Sequence, residues 1–312
     1  MLATAAFAAD FPRAEISNGV VTARILLPDP VNGYYRATRF DWSGQIESLK
    51  THGHEYFGVW NPEPYHPKLH DAIMGPVEEF RSGDAALGYN DAPPGGTFIR
   101  IGVGVLRKPA DPNAKYENFR TFDIVDPGTW KVKRGRDWIA FTHTLNDQQG
   151  YAYRYTKTIR LVKGQSAMRI EHTLENTGAK SIATQQYNHN FFVMDGQPTG
   201  PDSQVKFAFP LQATSAPRGA DLAEIQGSQV VYKKELPIGQ SFFGTFAGGA
   251  PYDITLANRK AGMGVRITGD RPIARIVYWS IRSTFCPEAY IDIAVEPQQK
   301  TQWTYTYEFQ KL

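Results

Sequence analysis

The chain has 312 residues, 41% hydrophobic and 21% charged, which is the balance of a folded globular protein and not of a disordered one. Its 34 Lys and Arg against 31 Asp and Glu leave a net charge of +3, too small a basic excess for a nucleic-acid partner. No run of about 18 apolar residues is present to span a membrane, and the single cysteine, Cys286, excludes an internal disulfide or a multi-cysteine metal site.

Aromatic residues reach 13%, and 28 Gly with 21 Pro punctuate the chain, a composition that favours strands and turns over helices. From the N-terminus, residues 1–9 (MLATAAFAA) resemble the tail of a secretory signal with a cut near Ala9, which implies a secreted or periplasmic protein. Residues 10–312 read as one domain, since no linker or repeat divides them.

The segment Tyr34 to Gly44 packs Arg36, Arg39, Asp41 and four aromatics, Trp42 among them, into eleven residues. Two readings stand side by side: the floor of a sugar site, or a core strand whose arginines are paired. Residues 61–97, rich in Pro, Gly, His and Asp without alternation, read as a long irregular excursion of the kind that carries function. Trp130 to Trp138 reads as a hairpin tip between two strands, and its four basic residues as a solvated surface.

Between Tyr151 and Val162 the odd positions are mainly apolar, and after a turn at Lys163-Gly164-Gln165 the parity reverses at Met168, Ile170 and Leu174. This is a hairpin with one buried and one wet face. His172 falls on the apolar parity and reads as a core residue. Ile273 to Trp279 is apolar on both parities and is expected to be buried on both faces. A final hairpin is expected from Ile291 to Val295, through a turn at Pro297 to Lys300, to Trp303, Tyr305, Tyr307 and Phe309. The fold class is therefore all-β, a large antiparallel sandwich with few helices.

Two stretches invite chemistry. Gln186-Tyr187-Asn188-His189-Asn190 sets a histidine between two amides, which could fix its tautomer and aim it as an acid or base. Cys286-Pro287-Glu288 places a carboxylate between apolar strands, where burial would raise its pKa. The bland alternatives are a core histidine and a hydrated turn carboxylate. His52 and His54, or His66 and His70 near Asp71, offer loose metal spacings, but none is a recognised signature and no metal is expected.

Together Asn188-His189-Asn190-Phe191-Phe192 and Cys286-Pro287-Glu288 resemble motifs of the galactose mutarotase-like (aldose 1-epimerase) superfamily, with proline before the glutamate instead of after it. Leu174-Glu175-Asn176-Thr177-Gly178 is similar to a strand-end segment of that family. The resemblance implies a supersandwich fold, a carbohydrate partner and no cofactor. It implies His189 as the acid at the ring oxygen of a sugar and Glu288 as the base at its anomeric hydroxyl. Leu69-His70-Asp71 partly matches a family stretch but lacks its two glycines, so His70 would line the pocket, with Arg81 binding a hydroxyl or carboxylate. Arg39 is the nearest counterpart of a family arginine, and Asn188 and Trp42 complete the expected substrate contacts. The alternatives on the same scaffold are a polysaccharide lyase and a glycan-binding module without catalysis. The sequence leaves the sugar and the oligomeric state open.

Overall fold

The computed structural model describes residues 11–61, 63–147 and 149–312. The segment expected to be a signal remnant, 1–9, lies outside the described residues. Among those described, the regular structure is strand throughout, apart from one 3₁₀ turn at Met194–Gly196.

Two antiparallel sheets build the body. A ten-stranded sheet runs in the order 223–226, 229–232, 203–207, 253–258, 263–269, 300–311, 167–176, 152–161, 138–146 and 129–134. A five-stranded sheet runs in the order 242–250, 273–281, 284–295, 182–189 and 77–81. Period-two burial explains the pairing. In Ala152–Leu161 the side chains of Tyr153, Tyr155, Ile159 and Leu161 point inward, while Arg154 is exposed. Across the core, Ile182, Ile276, Ile291 and Ile293 of the five-stranded sheet join the same apolar cluster. The expected hairpins form at 129–146 and 152–176, but the expected final hairpin does not. Residues 284–295 lie in the five-stranded sheet and 300–311 in the ten-stranded one, so the turn between them crosses from sheet to sheet.

The opposite face of the five-stranded sheet is covered by a second apolar cluster built from loops and a small three-stranded sheet of 97–100, 104–107 and 124–126. Tyr35, Phe40, Trp42, Trp60 and Phe98 pack there against Val77, Phe191 and Cys286. A site on that face is thus floored by a sheet and walled by loops.

Three further expectations need correction. Inside the expected irregular excursion, Val77–Arg81 is a strand, paired with Gln185–His189 at the edge of the five-stranded sheet. Its acidic residues on both parities hid the alternation. Tyr34 to Gly44 is a loop and not a strand, and of its residues only Arg39, paired with Glu79 and Asp71, lines the cavity on that face. Trp42 is 1% exposed, and its indole N–H donates to the Ala37 carbonyl at 2.8 Å, so it belongs to the core. Finally, Ile273–Ile281 is buried on one face only. Ile276 and Tyr278 enter the core, whereas Val277 and Trp279 stay partly open because they line a cavity.

Candidate active site

The five-stranded sheet and its covering loops enclose a cavity of about 550 Å³. From the sheet come Arg81, Tyr187, His189, Arg275, Trp279, Glu288 and Tyr290. The loops supply Arg39, His70, Asp71, Asn118 and Phe119, and the segment before residue 242 supplies Arg218. Sheet geometry selects the floor: residues two apart on one strand share a face, so Glu288 with Tyr290, and Tyr187 with His189, point into the cavity together.

At the centre, His189 Nε2 lies 3.2 Å from Glu288 Oε1, and both residues are about 5% exposed (4% and 5%). Packing orients the imidazole. Its ring stacks on Phe191 at 3.8 Å and 8°, and Trp60 stacks on the far side of Phe191 at 4.4 Å. The edges of Phe40 and Trp279 meet it at 5.7 Å. This arrangement needs Phe191 at a positive φ of 31°, where its backbone N–H donates to Cys286 Sγ at 3.2 Å. The chain therefore bends immediately after His189 and brings an aromatic ring beneath it.

The flanking amides do not touch the imidazole as expected. They point to the core side and tie the strands carrying His189 and Glu288 to the other sheet. Asn188 is fully buried; its side chain accepts from Gln186 at 2.6 Å and donates to the Tyr307 hydroxyl at 2.9 Å. Tyr307 in turn donates to Asn190 at 2.8 Å, and Asn190 donates to the Pro287 carbonyl at 2.8 Å, one residue from Glu288. Asn188 thus lies behind the floor, away from the cavity. His189 Nδ1 is buried without a hydrogen-bond partner among the described residues.

Burial dominates the electrostatics. It pushes the Glu288 carboxyl up to about 8, with Arg39 opposing and Glu79 adding to the shift. Burial, assisted by Arg39, holds His189 well below the ordinary imidazole value. The pair therefore carries one proton at neutral pH, and that proton rests on Glu288. Glu79 behaves oppositely: burial would raise it, but Arg39 and Arg100 and a hydrogen bond from Tyr187 keep it ionised. Arg39 donates to Glu79 at 2.8 Å and lies 3.7 Å from Asp71, while His70 Nε2 is 3.1 Å from Asp71.

Of the residues singled out from the sequence, His189, Glu288, His70, Arg81 and Arg39 meet in this cavity, whereas Asn188 and Trp42 do not. His54 lies elsewhere, 2.7 Å from Asp195, and among the described residues no group of three or more His, Cys, Asp or Glu is placed to hold a metal ion. Sequence reasoning missed Glu79, Arg218, Arg275, Trp279 and Tyr290. The apolar stretch around 273–279, interrupted by Arg275 on the parity of Val277 and Trp279, was the available signal.

No protein-family description matches the chain, and no curated protein does. Solved structures do. A protein of Synechocystis sp. PCC 6803 superimposes with a TM-score of 0.61 at 11% identity over 100% of both chains. The GalM/aldose epimerase homologue of C. elegans gives 0.56 at 14% identity over 97% of this chain and 100% of that one. A galactose mutarotase-like protein of Lactobacillus casei gives 0.55 at 12%, covering 96% and 100%. The fold is galactose mutarotase-like. Within that mutarotase-like fold the His189–Glu288 pair sits on the face of the five-stranded sheet that floors the cavity, and a shared fold does not by itself fix an activity.

Proposed function

We propose that the protein interconverts the anomers of a sugar by acid–base chemistry at His189 and Glu288. The observation that carries this reading is the 3.2 Å contact of the two side chains inside a cavity of about 550 Å³ with aromatic walls. The apolar face of a pyranose packs against Trp279 and Phe119, and its hydroxyls meet Arg39, Asp71 and Asn118.

Ring opening needs a proton taken from the anomeric hydroxyl and a proton given to the ring oxygen as the bond from that oxygen to the anomeric carbon breaks. The open-chain aldehyde turns about its bond to the next carbon, and the reverse transfers close the ring on the other face. One proton on the pair serves both directions, because donor and acceptor exchange roles between opening and closing. The family resemblance makes His189 the donor. Here burial leaves the resting proton on Glu288, and passage across the 3.2 Å contact supplies the other distribution.

The test is the rate of anomeric equilibration of aldoses, followed by polarimetry or proton NMR. His189→Ala and Glu288→Gln should each lower the protein-dependent rate by about 10²–10⁴-fold. Full activity in either variant discards the assignment. A lyase would need His189 or a tyrosine as the base for a carbon-bound proton; burial holds the Tyr187 and Tyr290 phenols above their ordinary value, so neither is ionised at neutral pH, and His189 would have to serve. Double-bond absorbance appearing in uronate polymers would reverse that choice.

A further inference from the structure

The cavity holds more positive charge than its carboxylates neutralise. Of the four arginines that line it, Arg39 is engaged by Glu79 and Asp71. The other three, Arg81, Arg218 and Arg275, have no carboxylate within 4.0 Å among the described residues, although eight other arginines of the chain do. Arg81 Nε is buried without a hydrogen-bond partner. Arg275 lies flat over the Tyr290 ring, 3.5 Å from its centroid, and donates to Gln185 at 2.9 Å. Gln185 is the cross-strand neighbour of Arg81, so the two guanidinium groups approach one patch of the floor from different strands. Arg218 stands beyond the opposite edge of the sheet, stacked over Phe243 at 4.5 Å.

The patch is also correctly spaced. Val277 pairs with Glu288, and Arg275, two residues along the same strand, pairs with Tyr290. One such step is about 7 Å, comparable to the reach of a pyranose from its anomeric carbon to the substituent on the far side of the ring. Neutral hydroxyls do not require three guanidinium groups without a paired carboxylate in a half-enclosed cleft, whereas a carboxylate or phosphate is the group their planar donor pattern fits.

We propose that the sugar is acidic: an aldose bearing a carboxylate or a phosphate, its anion held by Arg81 and Arg275 on the floor and covered by Arg218 from the far wall. This deepens the epimerase reading and rests on it for the placement of the anomeric carbon.

The experiment compares anomerisation of glucose and galactose with that of glucuronate, galacturonate and glucose 6-phosphate, and measures binding of the same five sugars by calorimetry. At least one acidic sugar should exceed its neutral counterpart in kcat/KM by about tenfold or more, and the advantage should shrink at high salt. Uronate and phosphate arms identify which anion is meant. Arg81→Gln and Arg275→Gln, checked for folding by circular dichroism, should each lower the acidic-to-neutral ratio by about tenfold. Equal rates on neutral and acidic sugars, with ratios untouched by both variants, overturn this inference and leave the epimerase standing. Binding of an acidic sugar that weakens in both variants, with no anomerisation of any sugar, overturns the epimerase and keeps the anion site. Absence of both overturns both.

Discussion

At the scale of single residues, the proposed chemistry depends on one proton shared by two groups that burial has displaced in opposite directions. His189 and Glu288 were legible because short motifs mark them, but the environment that tunes them was not. The imidazole is aimed by Phe191, Trp60, Phe40 and Trp279, drawn from four separate places in the chain, and not by its neighbouring amides. A pH profile follows. With the Glu288 carboxyl at about 8, the singly protonated pair is lost as pH rises through that value, and kcat/KM should fall there. On the acid side the limb should lie well below ordinary histidine values, where His189 finally takes a second proton. A profile flat from neutrality to pH 10 would contradict the shared proton. The same shift has a thermodynamic sign. Glu288 binds its proton more tightly folded than unfolded, where its value is near 4.5, so its contribution to stability is complete below that pH and is lost as pH rises through about 8. Glu288→Gln should therefore be the more stable protein at pH 9, by about 2–5 kcal/mol in denaturant melts, and no more stable than the wild type at pH 4.

Among the elements, the edge strand Val77–Arg81 connects the core to the site. Glu79 and Arg81 face the cavity, and Glu78 faces the interior, where its carboxylate bonds to Lys157 and lies 2.9 Å from His172 Nε2. Lys157 also sits 3.1 Å from Asp41, whose backbone N–H donates to the Glu78 carbonyl at 2.9 Å and ties the 34–44 loop to this edge. Despite burial, Asp41 and Glu78 keep Lys157 charged. The long hairpins were readable because their alternation is regular. The edge strand was not, because a strand with charge on both faces shows no period. A clue was present in the neighbouring hairpin, where Lys157 occupies the inward parity between Tyr155 and Ile159. Lys157→Met would leave Glu78 and Asp41 buried without their cation and should cost about 3–5 kcal/mol in urea unfolding. Adding Glu78→Gln should return part of that loss. If the single variant unfolds like the wild type, the cluster is not structural.

Across the whole molecule, the last strand joins scaffold to chemistry. Lys300–Lys311 lies inside the ten-stranded sheet, between Met263–Gly269 and Ala167–Asn176, so this strand joins the two halves of the sheet. From this strand Tyr305 donates to Gln186 at 2.6 Å, and Tyr307 connects Asn188 with Asn190. These hydroxyls cross the gap between the two sheets and fix the strands carrying His189 and Glu288 in relative height. The alternation of Trp303, Tyr305, Tyr307 and Phe309 announced an inward face, but its polar tips acquire a purpose only once the sheets are stacked. Tyr307→Phe removes one hydroxyl without altering the ring's packing, and it leaves buried amide groups on Asn188 and Asn190 short of a partner. Stability should fall by about 1–3 kcal/mol. A purely structural tyrosine would stop there. Because Asn190 also holds the Pro287 carbonyl beside Glu288, the variant should lower kcat by about tenfold with KM little changed, since the reacting pair is displaced while the sugar-contacting walls remain. Measuring kcat and KM well below the variant's melting temperature separates the two outcomes, and an unaltered kcat would show that the network supports the fold without aligning the pair.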